Sequence, residues 1–155
     1  MKTKKFIIKP VSLILAMILM MLTFSSCGYK PEPPEENTFE LIMDFAETVV
    51  KKGSTVTYRA ILKNNGAESY TLQCPLKPIY ISVVKAEEFS DEKLVFSSLS
   101  ESGVAAHGQI EEFYDFTPAE SGEYILKAYS QFTIEGKEST KDYLYETAQL
   151  RITVY

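Results

Sequence analysis

The residue types that most often carry catalysis are sparse in this chain. Histidine occurs once, as His107 in the small-residue stretch "GVAAHG". A nucleophile–histidine pair would need folding to bring Ser102 or Cys74 beside His107. No serine is framed by the Gly-x-Ser-x-Gly pattern of a nucleophile elbow. We therefore expect His107 to be a solvent-exposed loop residue and the protein not to be an enzyme.

Acidic residues occur in adjacent pairs, which raises glycoside hydrolysis and calcium binding as alternatives. Hydrolysis of a glycoside needs two carboxylates about 5 to 10 Å apart across a cleft. Glu111 and Glu112 cannot form that pair by themselves, since neighbours on a strand point to opposite faces. The cluster at 87–92 offers oxygen ligands but lacks the spaced acids and glycine of an EF-hand loop. Solvated turn charge is the favoured interpretation, and we expect no cofactor and no metal site.

Aromatic residues are the remaining candidates for binding, with ten tyrosines and nine phenylalanines but no tryptophan. Tyr143 and Tyr145, beside Tyr129 and Phe132, are a candidate exposed patch for sugar stacking or protein contact. The alternative is packing in the core or at an edge, because a sandwich without tryptophan must fill its interior with Phe and Tyr. Candidate contact loops are 64–68, 86–92 and 135–145, the last long and polar for a hairpin.

The N-terminus carries the pattern of an export signal. "MKTKKFIIKP" has four lysines and no acid, and an apolar run follows from Val11 to Phe24. This run is shorter than the roughly 20 residues of a membrane-spanning helix. "SSC" at Ser25 to Cys27 resembles the bacterial lipoprotein signal, with Phe24 where leucine is usual. The resemblance implies cleavage before Cys27 and its lipidation, which would anchor the protein to the extracytoplasmic face of the cell membrane.

These observations divide the chain into a signal peptide (1–26), a lipidated cysteine with a Pro/Glu-rich tether (27–38) and one domain (39–155). The tether is expected to be extended and solvated. After cleavage, twelve basic residues face 21 acidic ones, a formal charge of −9. That charge opposes nucleic-acid binding, which depends on Lys and Arg contacts with phosphate. Cys74 then lacks an intramolecular partner, and we expect it to be a small apolar residue in or beside a strand.

Period-two alternation runs through the domain and predicts strands, not helices. "AETVVKKG" is expected to form at most a turn. Seven or eight short strands separated by turn signals predict an all-β fold, an immunoglobulin-like antiparallel β-sandwich. The predicted strands are 39–45, 54–63, 69–74, 79–85, 93–98, 109–116, 123–134 and 148–155.

Two local stretches resemble known families. "PAESGEYIL" resembles the tyrosine corner of immunoglobulin-like domains, Asp-x-Gly-x-Tyr-x-Cys, with Glu120, Gly122 and Tyr124 at the acid, glycine and tyrosine positions. The resemblance implies that the Tyr124 hydroxyl ties a crossing loop to the next strand. Leu126 stands at the cysteine position and the chain has no tryptophan, so the domain is not of the antibody type. It resembles the broader immunoglobulin-like or fibronectin-like class found on bacterial surfaces. "YRAILKNNGAESYTL" is weakly similar to BsuPI-type protease-inhibitor-like domains, an analogy of fold alone.

The sequence thus predicts a lipid-anchored, non-catalytic module that engages a protein partner at the cell envelope. Two alternatives stay open: a protease-inhibitor-like module that inserts a loop into an enzyme cleft, and a carbohydrate-binding module for wall glycans.

Overall fold

The computed structural model describes residues 30–44, 47–90 and 99–155. A short 3-10 helix, Glu36–Thr38, precedes the first strand. Within the described ranges the chain forms ten strands: β1 Phe39–Asp44, β2 Val49–Val50, β3 Val56–Asn64, β4 Tyr70–Pro75, β5 Tyr80–Lys85, β6 Leu99–Val104, β7 Gln109–Phe116, β8 Gly122–Glu135, β9 Thr140–Glu146 and β10 Leu150–Val154.

The smaller sheet has the strand order β1-β3-β7, with both pairings antiparallel. In its central strand, β3, alternate residues point to the core and to the surface, as the period-two pattern of the sequence predicts. Tyr58, Ala60 and Leu62 point inward and are fully buried, whereas Thr57 and Arg59 point outward. Val and Ile beside Tyr suit such a half-buried pleated strand.

The larger sheet is organised around β8, which is 14 residues long. Leu126 lies opposite Leu150 of β10 and Val83 of β5, so these two strands flank the first half of β8. β9 and β4 flank its second half, where Thr133 faces both Asp142 and Gln73. β6 pairs with β4 at one margin, and the two-residue β2 pairs in parallel with β10 at the other.

The two sheets enclose a core with two apolar clusters. One is centred on Phe39, Leu62, Leu72 and Phe132, and the other on Tyr58, Tyr124 and Leu126. Strands β1, β3 and β7 opposite β10, β8 and β4 correspond to the two sheets of an immunoglobulin-like domain. The protein is an immunoglobulin-like β-sandwich.

Three elements differ from the sequence-based prediction. β6 at Leu99–Val104 was not predicted, and the predicted strand 93–98 lies outside the described residues and stays a prediction. The region 135–145, predicted as a long loop, is mostly strand, with a turn at 136–139 between β8 and β9. Val49–Val50 in "AETVVKKG" forms a short strand, because the β10 edge supplies backbone partners that a turn would lack.

The predicted signal peptide and Cys27 lie outside the described residues. In the part of the chain that is described, no helix has the length and apolar character needed to cross a bilayer.

Candidate functional site

The segment 30–38, called the strap below, lies against the β8–β9 hairpin. The Tyr143 hydroxyl donates a hydrogen bond to the Pro34 carbonyl at 2.6 Å, and the Tyr145 hydroxyl donates one to the Glu36 carbonyl at 2.7 Å. Proline has no backbone N–H, so the strap cannot pair as a regular strand. Its carbonyls are bound by side-chain hydroxyls instead. Two phenols on one face of β9 therefore fix two successive points of the strap.

The strap also organises the turn at 136–139. The Glu32 carboxylate accepts hydrogen bonds from the Glu138 backbone N–H and the Ser139 hydroxyl, each at 2.8 Å. These bonds lower the pKa of Glu32 below its ordinary value. Lys30 and Glu135 form an ion pair at 3.0 Å. The prediction of a solvated tether is therefore wrong over residues 30–38, because contacts more than 100 residues apart in sequence hold this segment.

The candidate aromatic patch is largely internal. Phe132 and Tyr143 are 1% and 2% exposed, and their rings stack at 5.2 Å between centroids. Phe39 packs edge-on against Phe132 at 5.1 Å. Burial, with nearby Tyr70, Glu35 and Glu36, raises the pKa of Tyr143 to about 12. The alternation in β9 turns Tyr143 inward, so the exposed-patch prediction is wrong for these two residues and the core-packing alternative describes them.

The other two members of the candidate patch are half-buried. Tyr145 stacks parallel to Tyr143 at 6.3 Å, and burial raises its pKa above the ordinary range. Tyr129 lies under the Lys127 ammonium, with Nζ 4.9 Å from the ring centroid. Both rings are engaged by neighbouring groups of this chain, which leaves less ring surface for a sugar.

The tyrosine-corner residues lie at the start of β8. The Tyr124 hydroxyl donates to the Glu120 carbonyl at 3.0 Å, the link between loop and strand that the resemblance implies. Gly122 has φ +142, a conformation that residues with a side chain rarely adopt. The Glu120 carboxylate pairs with Lys85, and this pair raises the pKa of Lys85 and lowers that of Glu120.

The turn at 64–68, one of the candidate loops, is tied to the body of the domain. Asn64 is buried, and its amide donates to the carbonyls of Glu68 and Ala105 at 2.8 and 2.9 Å. Its side-chain oxygen accepts the Gly66 N–H at 3.0 Å. Asn64 therefore serves the fold by joining the turn after β3 to the turn after β6.

The candidate nucleophile and base are not brought together. His107 is exposed in the turn between β6 and β7, with φ 52. Cys74 is buried in β4, where its Sγ lies 3.4 Å from the Ser100 hydroxyl. Ser102 pairs across from Leu72 in the β4–β6 ladder. Both predictions, an exposed His107 and a Cys74 that lies in or beside a strand, are confirmed by these positions.

The part of the acidic cluster that the structure describes lies at 86–90, after β5. Among the described residues, no three Asp, Glu, His or Cys side chains are grouped as a metal site would require.

A different surface combines the exposed Phe113 ring with charged groups: the outward side of the smaller sheet, on which Ile42 is half-buried and Ile61 is buried. Three residue rows cross it, Asp44–Arg59–Phe113, Ile42–Ile61–Glu111 and Glu40–Lys63–Gln109. We call the first two rows the Phe113 face. Phe113 is 58% exposed, although it lies in the middle of a strand.

Arg59 contacts most of the other side chains of the Phe113 face that carry charge or an aromatic ring. Its guanidinium binds Glu111 at 2.9 Å and Asp44 at 3.6 Å, and it lies 6.0 Å from the centre of the Phe113 ring. Two carboxylates and an aromatic ring hold the side chain in one position, which lowers the entropic cost of contact with a partner. The sheet thus presents an ordered Arg–Phe pair beside Ile42.

Polar pairs surround this centre. Thr57 donates to the Asp115 carboxylate at 2.6 Å, and Gln109 hydrogen-bonds with Glu111. An aromatic and arginine centre within a polar rim is typical of protein–protein interfaces. Sequence reasoning missed this face because it considered only the inward residues of β7. The face could have been predicted from Ile42, Ile61 and Phe113, which are apolar residues at the outward positions of their strands.

One groove on the described surface is a poor match to a small-molecule site. A groove of about 250 Å³ lies between the strap and β4, lined by Lys30, Tyr70, Gln73, Glu101 and Glu135 among others. Sites for drug-sized ligands usually measure about 300 to 1,000 Å³ and are mainly apolar. The groove is small by that measure, and its margins are charged.

No protein-family model matches the chain, and no curated protein sequence is similar to it. Among solved structures, it is similar to the CARDB domain of the PF1109 protein from Pyrococcus furiosus, with 13% identity, a TM-score of 0.44, and coverage of 83% of this chain and 94% of that one. It is also similar to PapD-like domain 7 of human CEP192, with 17% identity, a TM-score of 0.44 and coverage of 84% and 95%. AggA, the major subunit of aggregative adherence fimbriae type I from Escherichia coli, shows 7% identity, a TM-score of 0.42 and coverage of 83% and 99%. Similarity at this level transfers no function.

Proposed function

We propose that this protein is a lipid-anchored, extracytoplasmic, non-catalytic module that binds a protein partner through the Phe113 face. The observation that carries the proposal is the exposed Phe113 ring beside the fixed Arg59 guanidinium, in the outward phase of the smaller sheet. Aromatic and arginine side chains contribute most of the binding energy in many protein interfaces.

The location follows from the N-terminal sequence. The basic start, the apolar run and "SSC" support cleavage before Cys27 and attachment of acyl chains there. Each buried methylene contributes about 0.8 kcal/mol, so two or more chains hold a protein on a membrane.

The structure removes the basis of the carbohydrate-binding alternative and removes one candidate loop from the protease-inhibitor alternative. Tyr143 is buried and Tyr145 binds the strap, so the pair is not a free stacking platform. The loop expected at 135–145 is a turn closed by a hydrogen bond from the Gly136 N–H to the Ser139 carbonyl, and Glu32 caps it. An inhibitory loop that enters an enzyme cleft would have to lie elsewhere.

The partner-binding proposal is tested by in-cell cross-linking and capture of the tagged protein. Phe113→Ala is expected to reduce recovery of the cross-linked partner about tenfold, because removal of a central aromatic residue costs about 1 to 2 kcal/mol or more. Tyr155→Ala is the matched control, since Tyr155 is also an exposed aromatic residue, at 66%. Equal recovery with both variants would contradict the assignment to the Phe113 face.

The anchor is tested separately with Cys27→Ala and metabolic fatty-acid labelling. We expect the label on the wild-type protein and none on the variant. Label retained by Cys27→Ala would overturn the assignment of the attachment point.

A further inference from the structure

The strap reaches the sandwich very soon after the proposed anchor. Lys30, which pairs with Glu135, is three residues beyond Cys27. An extended chain spans at most about 3.6 Å per residue, so the backbone from Cys27 to Lys30 can span no more than about 11 Å. A free tether from 27 to 38 would instead reach about 40 Å.

The strap is bound along its length. Lys30, Glu32, Pro34 and Glu36 each contact β8, β9 or the turn between them. Gly136 shows how close the contact is: a Cβ built there would lie 2.6 Å from Pro33 Cδ and 3.0 Å from Glu32 Cα. The turn approaches the strap backbone at a distance that excludes any side chain.

We propose that the docked strap holds the sandwich against the bilayer in one orientation, with the β8–β9 turn facing the membrane and the opposite end projecting away from it. This orientation rests on the proposed lipidation of Cys27. The projecting end contains 51–54, 118–121 and Tyr155, which hydrogen bonds join: Gly53 N–H to Pro118 C=O and Lys52 N–H to Tyr155 C=O. The 14 residues of β8 have 13 intervals of about 3.3 Å, so they separate the two ends by about 43 Å.

The orientation also places the Phe113 face. Gln109 pairs with Lys63 beside the end of the sandwich where Phe39 follows the strap, and Phe113 lies four residues further along β7. The Phe113 face therefore stands on the side of the molecule, about 13 Å further from the membrane than Gln109. A partner would approach parallel to the bilayer.

Docking of the strap is tested by limited proteolysis of the cell-produced protein with a glutamate-specific protease, which cuts after Glu35 or Glu36 once the strap is released. Gly136→Ala is expected to accelerate this cut at least tenfold, because cleavage follows the population of the open segment. The φ of Gly136 does not lie in the left-handed range, so alanine is conformationally acceptable there. Gly103→Ala is the control, since a Cβ there meets nothing within 4 Å. Equal cleavage of both variants would overturn the docked strap.

A double variant removes the two tyrosine hydroxyls alone. The double variant Tyr143→Phe and Tyr145→Phe keeps both rings in place but loses the bonds to Pro34 and Glu36, and we expect roughly tenfold or greater acceleration of the same cut. Tyr155→Phe should leave the rate unchanged. No acceleration in the double variant would contradict the role of the phenols.

The orientation is tested by energy transfer from a fluorophore on the protein to headgroup-labelled vesicles that carry the lipoprotein. Cys74 is buried, so maleimide dyes can be directed to Lys137→Cys in the β8–β9 turn or to Lys51→Cys at the opposite end. We expect strong transfer from position 137, weak transfer from position 51, and loss of the difference when Gly136→Ala is added. Equal transfer from both positions without Gly136→Ala would overturn the orientation.

An unlipidated Cys27 would refute the anchor, and the orientation with it, while the proteolysis result for the strap would still stand.

Discussion

Tyr124 contributes a single hydroxyl–carbonyl bond where the chain crosses from one sheet to the other. Tyr124→Phe keeps the buried ring and removes only the bond to Glu120. We expect a loss of about 1 kcal/mol in the free energy of unfolding, measured by urea denaturation. Tyr155→Phe, at an exposed tyrosine, should change stability by less than about 0.5 kcal/mol. A Tyr124→Phe protein as stable as the wild type would mean that the corner does not stabilise the fold.

Lys127 is a buried cation on the outward side of β8. Its side chain is 7% exposed, and Nζ lies 2.9 Å from the Glu146 carboxylate. Glu146→Gln removes the opposing charge but leaves the ammonium buried, so we expect a loss of about 1 to 3 kcal/mol in the free energy of unfolding. Adding Lys127→Met should recover most of that loss, because the apolar chain needs no counter-charge. A double variant less stable than Glu146→Gln alone would contradict this account.

At the residue scale, the sequence predicted the environment of His107 and Cys74 correctly, but it did not predict on which face of a strand an aromatic residue lies. An exposed His107 and a buried Cys74 follow from their neighbours in the chain. Tyr143 and Phe113 are both aromatic residues in polar stretches, yet one is buried and the other exposed. Which face of a strand meets the core depends on register with partner strands, and the sequence shows the alternation but not always its phase.

At the scale of elements, strands with an apolar inward phase were predictable, as β3, β8 and β10 show. β6 was missed because "LSESGV" has few apolar residues and shows no alternation that would predict a strand. It forms a strand because its backbone pairs with β4. The strap was missed for a related reason. Its Pro/Glu composition is that of a solvated linker, and the groups that hold it, Tyr143 and Tyr145, lie more than 100 residues away.

The contact between strap and hairpin predicts a stability change at alkaline pH. The pKa of Tyr143 is raised from 10.0 to about 12 by burial. Between these pH values the Tyr143 hydroxyl loses its proton in the unfolded chain but keeps it in the folded chain. The contribution of Tyr143 to the free energy of unfolding is therefore complete below pH 10 and is lost as pH rises toward 12. We expect the free energy of unfolding to fall more steeply over this range in the wild type than in Tyr143→Phe. The measurement is urea denaturation at a series of pH values, and parallel curves for the two proteins would contradict the shifted pKa.

At the scale of the whole molecule, three features fit one arrangement. In the proposed arrangement, acyl chains at Cys27 would hold the membrane, the strap would position the sandwich, and the Phe113 face would contact a partner. The residues from Cys27 onward carry a net negative charge that gives no attraction to anionic lipid, so the acyl chains would have to provide the attachment. The positions of the strap and of the Phe113 face depend on topology and strand order, and neither can be calculated from the alternation alone.

The most direct test of the central claim is site-specific photocross-linking on intact cells, with a benzoyl-phenylalanine introduced at position 113 or at position 155. The account predicts one recurrent protein adduct from position 113 and none of that adduct from position 155. The same adduct from both positions, or from position 155 alone, would contradict partner binding through the Phe113 face.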